Sequence, residues 1–191
     1  MKDNTAAVVT VGGGRGFVVG TKRGDRLVIT AAHCLPHLPT GFSIAYTEER
    51  TYAELLSPLG QPPSVWAECL FVDPIADIAV LGSPDGQGLP SQADDWDNFT
   101  EAAGVLNTGP CPAEAPAWLL GLEGMWFESP LTCEGRALWL HQRPRPIESG
   151  MSGSPMIVDD RAVGVVVTDA GPHPYLVKAL PVWMVERLTS G

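Results

Sequence analysis

Ser149-Gly150-Met151-Ser152-Gly153-Ser154-Pro155 runs straight into the apolar stretch 155–158. Glycines at 150 and 153 admit a tight turn with exposed amides, and the stretch that follows is β-branched and of strand length. Read alone, the string is either an ordinary Gly/Ser turn between strands or the seat of a nucleophile. A serine hydroxyl is a poor nucleophile at neutral pH. It needs a base to take its proton and backbone amides to receive the oxyanion. On the second reading Ser152 supplies the hydroxyl, and the N–H groups of Gly150 and Ser152 point into one hole.

Outward from this turn the chain reads as short strands separated by Gly, Pro and polar clusters. One set spans 117–120, 124–127, 137–141, 155–158, 162–168 and 175–180, and an earlier set spans 6–11, 17–19, 27–31, 42–47, 65–72 and 78–81. Between them, 83–98 carries four acids and no hydrophobic periodicity, so it reads as a linker. The last stretch, 181–188, fits a short helix with Pro at its first turn and Val182, Val185 and Leu188 on one side. Many short strands without alternating long helices predict an all-β fold, with one strand unit over 1–82, a linker over 83–98 and a second unit over 99–191.

Two further strings carry chemistry. Thr30-Ala31-Ala32-His33-Cys34 closes an apolar strand and offers an imidazole. Asp73-Pro74-Ile75-Ala76-Asp77-Ile78-Ala79-Val80-Leu81 offers a carboxylate at the mouth of an apolar run, where a charge needs a partner. Asp77 is preferred to Asp73, because Asp-Pro is a common local turn arrangement. His141 and His173 are alternative bases in less distinctive surroundings. His33 and His37 have HxxxH spacing, but Pro36 spoils a helix and no third ligand is nearby, so no metal is expected. The Gly-rich string 12–16 leads into a strand rather than a helix, so it reads as a hairpin turn and not a phosphate loop.

TAAHC, then DIAVL, then GMSGSP, in the order His–Asp–Ser, resembles the trypsin/chymotrypsin-like serine peptidase family, and best its bacterial-type, non-secreted members. The resemblance runs from Gly16 to the terminal helix. It implies two packed antiparallel six-stranded β-barrels with the site in the cleft between them. It also implies His33 as general base, Asp77 as its orienting carboxylate and Ser152 as nucleophile, with Gly150 and Ser152 giving the oxyanion-hole amides. The expected activity is that of a serine endopeptidase working through an acyl-enzyme, with no cofactor. The alternative is a catalytically silent or partner-activated domain that serves as a binding module or scaffold.

Departures from the family pattern refine this. Met151 stands where secreted animal members carry Asp or Asn, so the ion pair with a freshly cleaved N-terminus cannot form and no such zymogen switch is expected. No Cys precedes Cys34, so the bridge beside the catalytic His is absent. Pro146 occupies the place of the pocket-base Asp of trypsin-like members and is followed by Ile147, which disfavours Arg/Lys selection by that route. The resemblance implies that Val167, Thr168 and Asp169 supply the far wall of the pocket, with Val167 and Thr168 suggesting a small or medium apolar one. Asp169 selects a basic side chain if turned inward, and is a solvated strand-end acid if turned outward.

Composition sets the outer limits. Of 191 residues 45% are hydrophobic, enough for a packed core, and the net charge is −10, which argues against a nucleic-acid partner. No apolar run is long enough to span a membrane. Between Arg50 and Arg136 there are 13 acids and no Lys or Arg. They form either a solvated face or a field that attracts basic peptides. Cys34, Cys69, Cys111 and Cys133 contain no CxxC pair, and the opening residues lack a secretory core. The expected setting is cytoplasmic with reduced thiols, and Cys111 with Cys133 is the one pair left open. The expected partner is a protein or peptide substrate, with fused or associated regulatory domains an expectation from the resemblance alone.

Overall fold

The Gly-rich string turns the chain back on itself and joins β1 (Val8–Val11) to β2 (Gly14–Gly20), with Val11 opposite Gly14. It is a hairpin turn, as its place before an apolar strand predicts. The computed structural model describes residues 3–39, 50–84, 90–135, 137–141, 144–167 and 177–189. β3 (Arg26–Thr30), β4 (Thr51–Pro58), β5 (Val65–Asp73) and β6 (Ile78–Gly82) complete a closed antiparallel barrel in the order β1-β2-β3-β6-β5-β4. Phe17, Ile29, Leu56, Ile78 and Leu81 are fully buried in its core cluster. Burial of side chains this size stabilises the barrel by about 2 kcal/mol each. β4 is absent from the sequence reading because a register shift between Tyr52 and Leu56 breaks its alternation, with Glu54 at φ +50° inside the bulge. The strand expected at 42–47 lies outside the described residues.

The stretch read as a linker, 83–98, is not plain loop. From Pro90 onward it enters helix α1 (Pro90–Ala102). Trp96 and Thr100 are buried, and Phe99 and Ala103 pack partly against the first core cluster. That i, i+3, i+4, i+7 pattern begins only at Trp96 and runs past the end of the window read as linker. Asp94, Asp95, Asp97 and Glu101 lie on the exposed side of the helix, a solvated acidic face. Arg26 Nη1 donates to the Thr100 and Ala103 carbonyls and caps the helix's negative end.

β7 (Asn107–Thr108) leads into the second unit, formed by β8 (Glu114–Leu120), β9 (Trp126–Glu134), β10 (Ala137–Leu140), β11 (Pro155–Val158), β12 (Arg161–Val166) and β13 (Val177–Ala179). These pair in the order β11-β8-β9-β10-β13-β12. A β11–β12 pairing closes the six strands into a second antiparallel barrel, and β7 adds in parallel to β12. β9 starts two residues later than the sequence suggests and runs further, because 121–125 form the β8–β9 turn. Inside it Phe127, Ser129 and Leu131 alternate inward while Glu128 and Pro130 face out. Asp159 and Asp160, both at positive φ, make the tight β11–β12 hairpin. The C-terminal helix α2 (Val182–Thr189) starts after Pro181 and packs Met184, Val185 and Leu188 onto the first core cluster. The all-β architecture with two six-stranded barrels and a short terminal helix is therefore the one the sequence predicts. Among the described residues, no helix is long and apolar enough to cross a membrane.

Candidate active site

β3 and β6 are paired neighbours, with Thr30 opposite Ala79. That register brings the end of one strand beside the start of the other. His33 sits in a 3-10 turn directly after β3, and Asp77 immediately precedes β6. The Ala32 N–H donates to the Asp77 carbonyl at 3.1 Å, fixing the two turns together. Asp77 is at φ +56°, a conformation Asp tolerates better than most residues, and this turns its carboxylate toward the His33 turn. Its Oδ2 meets His33 Nδ1 at 2.7 Å, and its Oδ1 accepts the His33 backbone N–H at 2.9 Å. Both ring and backbone of the histidine are held by one carboxylate.

Asp73 is differently engaged. Its Oδ1 accepts the N–H groups of Ile75 and Ala76 at 3.0 and 2.9 Å, so it shapes the turn that presents Asp77. His141 Nε2 bonds Thr132 Oγ1, and the His37 ring packs on Tyr52. His173 lies outside the described residues.

The Ser152 turn is built for close approach of the two barrels. The Ser152 carbonyl accepts the Arg15 N–H at 2.7 Å and faces Cys34 Sγ at 3.7 Å, which sets the serine beside the residue that follows His33. Gly153 lies at φ +83°, and a Cβ there would fall 1.7 Å from the Arg15 carbonyl oxygen, so only glycine fits. A Cβ at Gly14 would likewise strike the Ser152 carbonyl at 2.7 Å. Gly153 N–H donates to the Val166 carbonyl and Ser154 N–H to that of Met151. Among the described residues, the N–H groups of Gly150 and Ser152 have no protein acceptor.

Met151 anchors this turn through packing rather than charge. It is 1% exposed, sits in the core cluster of the second barrel, and its Sδ accepts the Glu148 N–H at 3.3 Å. The residues expected to form the acyl-side pocket divide. Pro146 is exposed, Ile147 is buried in the second barrel's cluster, and Val167 is buried in the first cluster. Thr168 and Asp169 lie outside the described residues. A cleft of about 450 Å³ is lined by Gly14, Arg15, Leu122, Glu123 and Gly150 among others. Among the described residues no group of three or more His, Cys, Asp or Glu is placed to hold a metal. The four cysteines are all free, and burial raises the Cys34 thiol above its ordinary value.

No protein-family model and no curated protein sequence matches the chain. Solved structures do match. The serine protease domain of the Sesbania mosaic virus polyprotein aligns over 97% of this chain and 94% of its own, at 13% identity and TM-score 0.59. The chain has the trypsin-like serine protease fold. A second trypsin-like neighbour, a human astrovirus serine protease, aligns over 93% of this chain and 90% of its own at 17% identity and TM-score 0.57. A structure describing aromatic interactions in the coupled folding and binding of the Sesbania mosaic virus VPg protein aligns over 97% and 89%, at 16% identity and TM-score 0.62. Within this trypsin-like fold, the site residue missed by the sequence reading is Arg15. It is the sole charged residue between Val8 and Gly20, but it stands among four glycines that read as a turn.

Proposed function

We propose that the chain is a serine endopeptidase in which Ser152 is the nucleophile, His33 the general base and Asp77 the carboxylate that orients it. The observation that carries this reading is the paired hold of Asp77 on His33, together with the Ser152 carbonyl lying against the next residue, Cys34. With its Nδ1–H given to Asp77, the imidazole presents Nε2 as the proton acceptor. Ser152 Oγ attacks the peptide carbonyl and its proton passes to Nε2. The oxyanion is received by the free amides of Gly150 and Ser152. Collapse of the tetrahedral adduct expels the amine, which takes the proton from His33, and water then hydrolyses the acyl-serine by the reverse route. No cofactor enters these steps.

The trypsin-like fold shared with the astrovirus and Sesbania mosaic virus serine proteases supports the reading. Met151, anchored in the core, supports a turn that is set without N-terminal cleavage. Pro146 in place of a pocket-base acid favours uncharged side chains on the acyl side, with Ile147, Val167, Thr168 and Asp169 as the proposed walls. Four free thiols fit a reducing, cytoplasmic setting. The test is cleavage of a diverse peptide library by wild type and by Ser152→Ala. Cleavage by wild type alone is the expected result. No cleavage by either, or equal cleavage by both, contradicts the proposal, and hydrolysis confined to esters replaces the peptidase with an esterase.

A further inference from the structure

We propose that Arg15 is a positioning residue for the oxyanion turn, a guanidinium clip that locks the two barrels together behind Ser152. The inference rests on the proposed peptidase reading. Arg15 is only 5% exposed, and among the described residues it has no carboxylate partner. Burying an unpaired guanidinium is costly unless its donors are met. Two of them are met here by backbone of the opposite barrel. Nη1 donates to the Leu120 carbonyl at 2.7 Å and Nη2 to the Gly121 carbonyl at 3.1 Å. The planar fork matches two adjacent carbonyls in a way a lysine ammonium cannot.

The backbone of the same residue holds the nucleophile. The Arg15 N–H donates to the Ser152 carbonyl, its own carbonyl accepts Thr30 Oγ1 at 2.6 Å, and Gly153 packs directly on that carbonyl. One residue of β2 therefore grips the Ser152 turn with its backbone and the β8–β9 turn with its side chain. The β8–β9 turn in turn reaches the oxyanion loop twice. Leu122 lies over Gly150, close enough that a Cβ there would touch it at 3.5 Å, and Glu123 pairs with Arg145 on the segment leading into the loop. The exposed Glu123–Arg145 pair contributes little by itself. The buried fork is the element that fixes the turn, and through it the Gly150 amide.

The experiment measures the rate of labelling by a fluorophosphonate probe per titratable site, separating maximal rate from probe affinity, alongside thermal melts. A merely structural role lowers the number of titratable sites and leaves the rate per site unchanged. The expected result for Arg15→Ala is a fall in maximal rate of about 100-fold, the scale of a small misplacement of catalytic groups, with probe affinity little changed. Guanidinium chloride at about 50 mM, well below denaturing concentration, restores part of that rate in Arg15→Ala and nothing in wild type. Arg15→Lys, which keeps the charge and loses the fork, recovers only a fraction. A folded Arg15→Ala with wild-type rate per site overturns the clip. Should Arg15→Ala not fold, Leu122→Ala tests the same path from an exposed position. About a tenfold slower rate at unchanged melting temperature is expected there, and an unchanged rate overturns the proposal. A wild type that takes no label removes the peptidase reading and the clip with it, whereas equal labelling of all variants removes the clip alone.

Discussion

Asp77→Asn replaces one acceptor atom by a donor and leaves the rest of the turn in place. Asn tolerates the +56° backbone as Asp does, and its carbonyl oxygen still accepts the His33 backbone N–H. The fold is therefore expected to hold, with a melting temperature within about 2 °C of wild type. The altered contact is the 2.7 Å one between Oδ2 and His33 Nδ1. An amide NH₂ in that place donates, so Nδ1 must accept and the ring proton moves to Nε2. That is the nitrogen required to take the proton of Ser152. The base sits in the correct place in the wrong tautomer, and the imidazolium formed during acylation loses its counter-charge. The expected loss in kcat is about 10⁴-fold, or about 5.4 kcal/mol of transition-state stabilisation. Pre-steady-state acylation with a chromogenic ester measures it directly. Asp73→Asn is the internal control, since Asp73 shapes the turn through the Ile75 and Ala76 N–H groups, which an Asn oxygen still accepts, and it should stay within about threefold of wild-type rate. An Asp77→Asn enzyme that is folded and acylates at wild-type rate refutes the orienting role.

Two further predictions concern stability. Ser154 is fully buried and its Oγ has no partner among the described residues, so Ser154→Ala removes an unmet hydroxyl. A gain of about 1 kcal/mol in urea unfolding is expected, and a clear loss contradicts it. Burial pushes the Cys69 thiol from its ordinary 9.0 up to about 11 and the Cys111 thiol up to about 12. Below the ordinary value both states are protonated and nothing changes. Above it the unfolded chain releases protons that the folded chain retains, so stability falls with rising pH between the unfolded and folded values. Cys69→Val should flatten that fall between pH 9 and about 11, and an unchanged slope in urea midpoints contradicts the assignment.

The strands and motifs nearest the chemistry were the most legible parts of the sequence. TAAHC and DIAVL each couple a functional side chain to a strand end, and the β3–β6 register brings those ends together. The serine string was legible because Gly150 and Gly153 are backbone requirements written as residue types. Helix α1 was hidden because its buried face starts at Trp96, within a run dominated by acids. β4 was hidden because a bulge breaks its period. Arg15 was hidden by its neighbours. Among four glycines it reads as part of a turn, and only the tertiary approach of Leu120 and Gly121 gives it partners. The bracing of Met151 likewise depends on core packing that spacing alone does not encode.

The central claim is that folding makes the hydroxyl at residue 152 a nucleophile. Incubation with a fluorophosphonate, followed by proteolysis and mass spectrometry, asks this in one step. A single stoichiometric adduct on the peptide carrying Ser152, abolished by prior unfolding and by His33→Ala, is the result the account predicts. A folded protein that takes no adduct at Ser152, or takes it equally without His33, contradicts it.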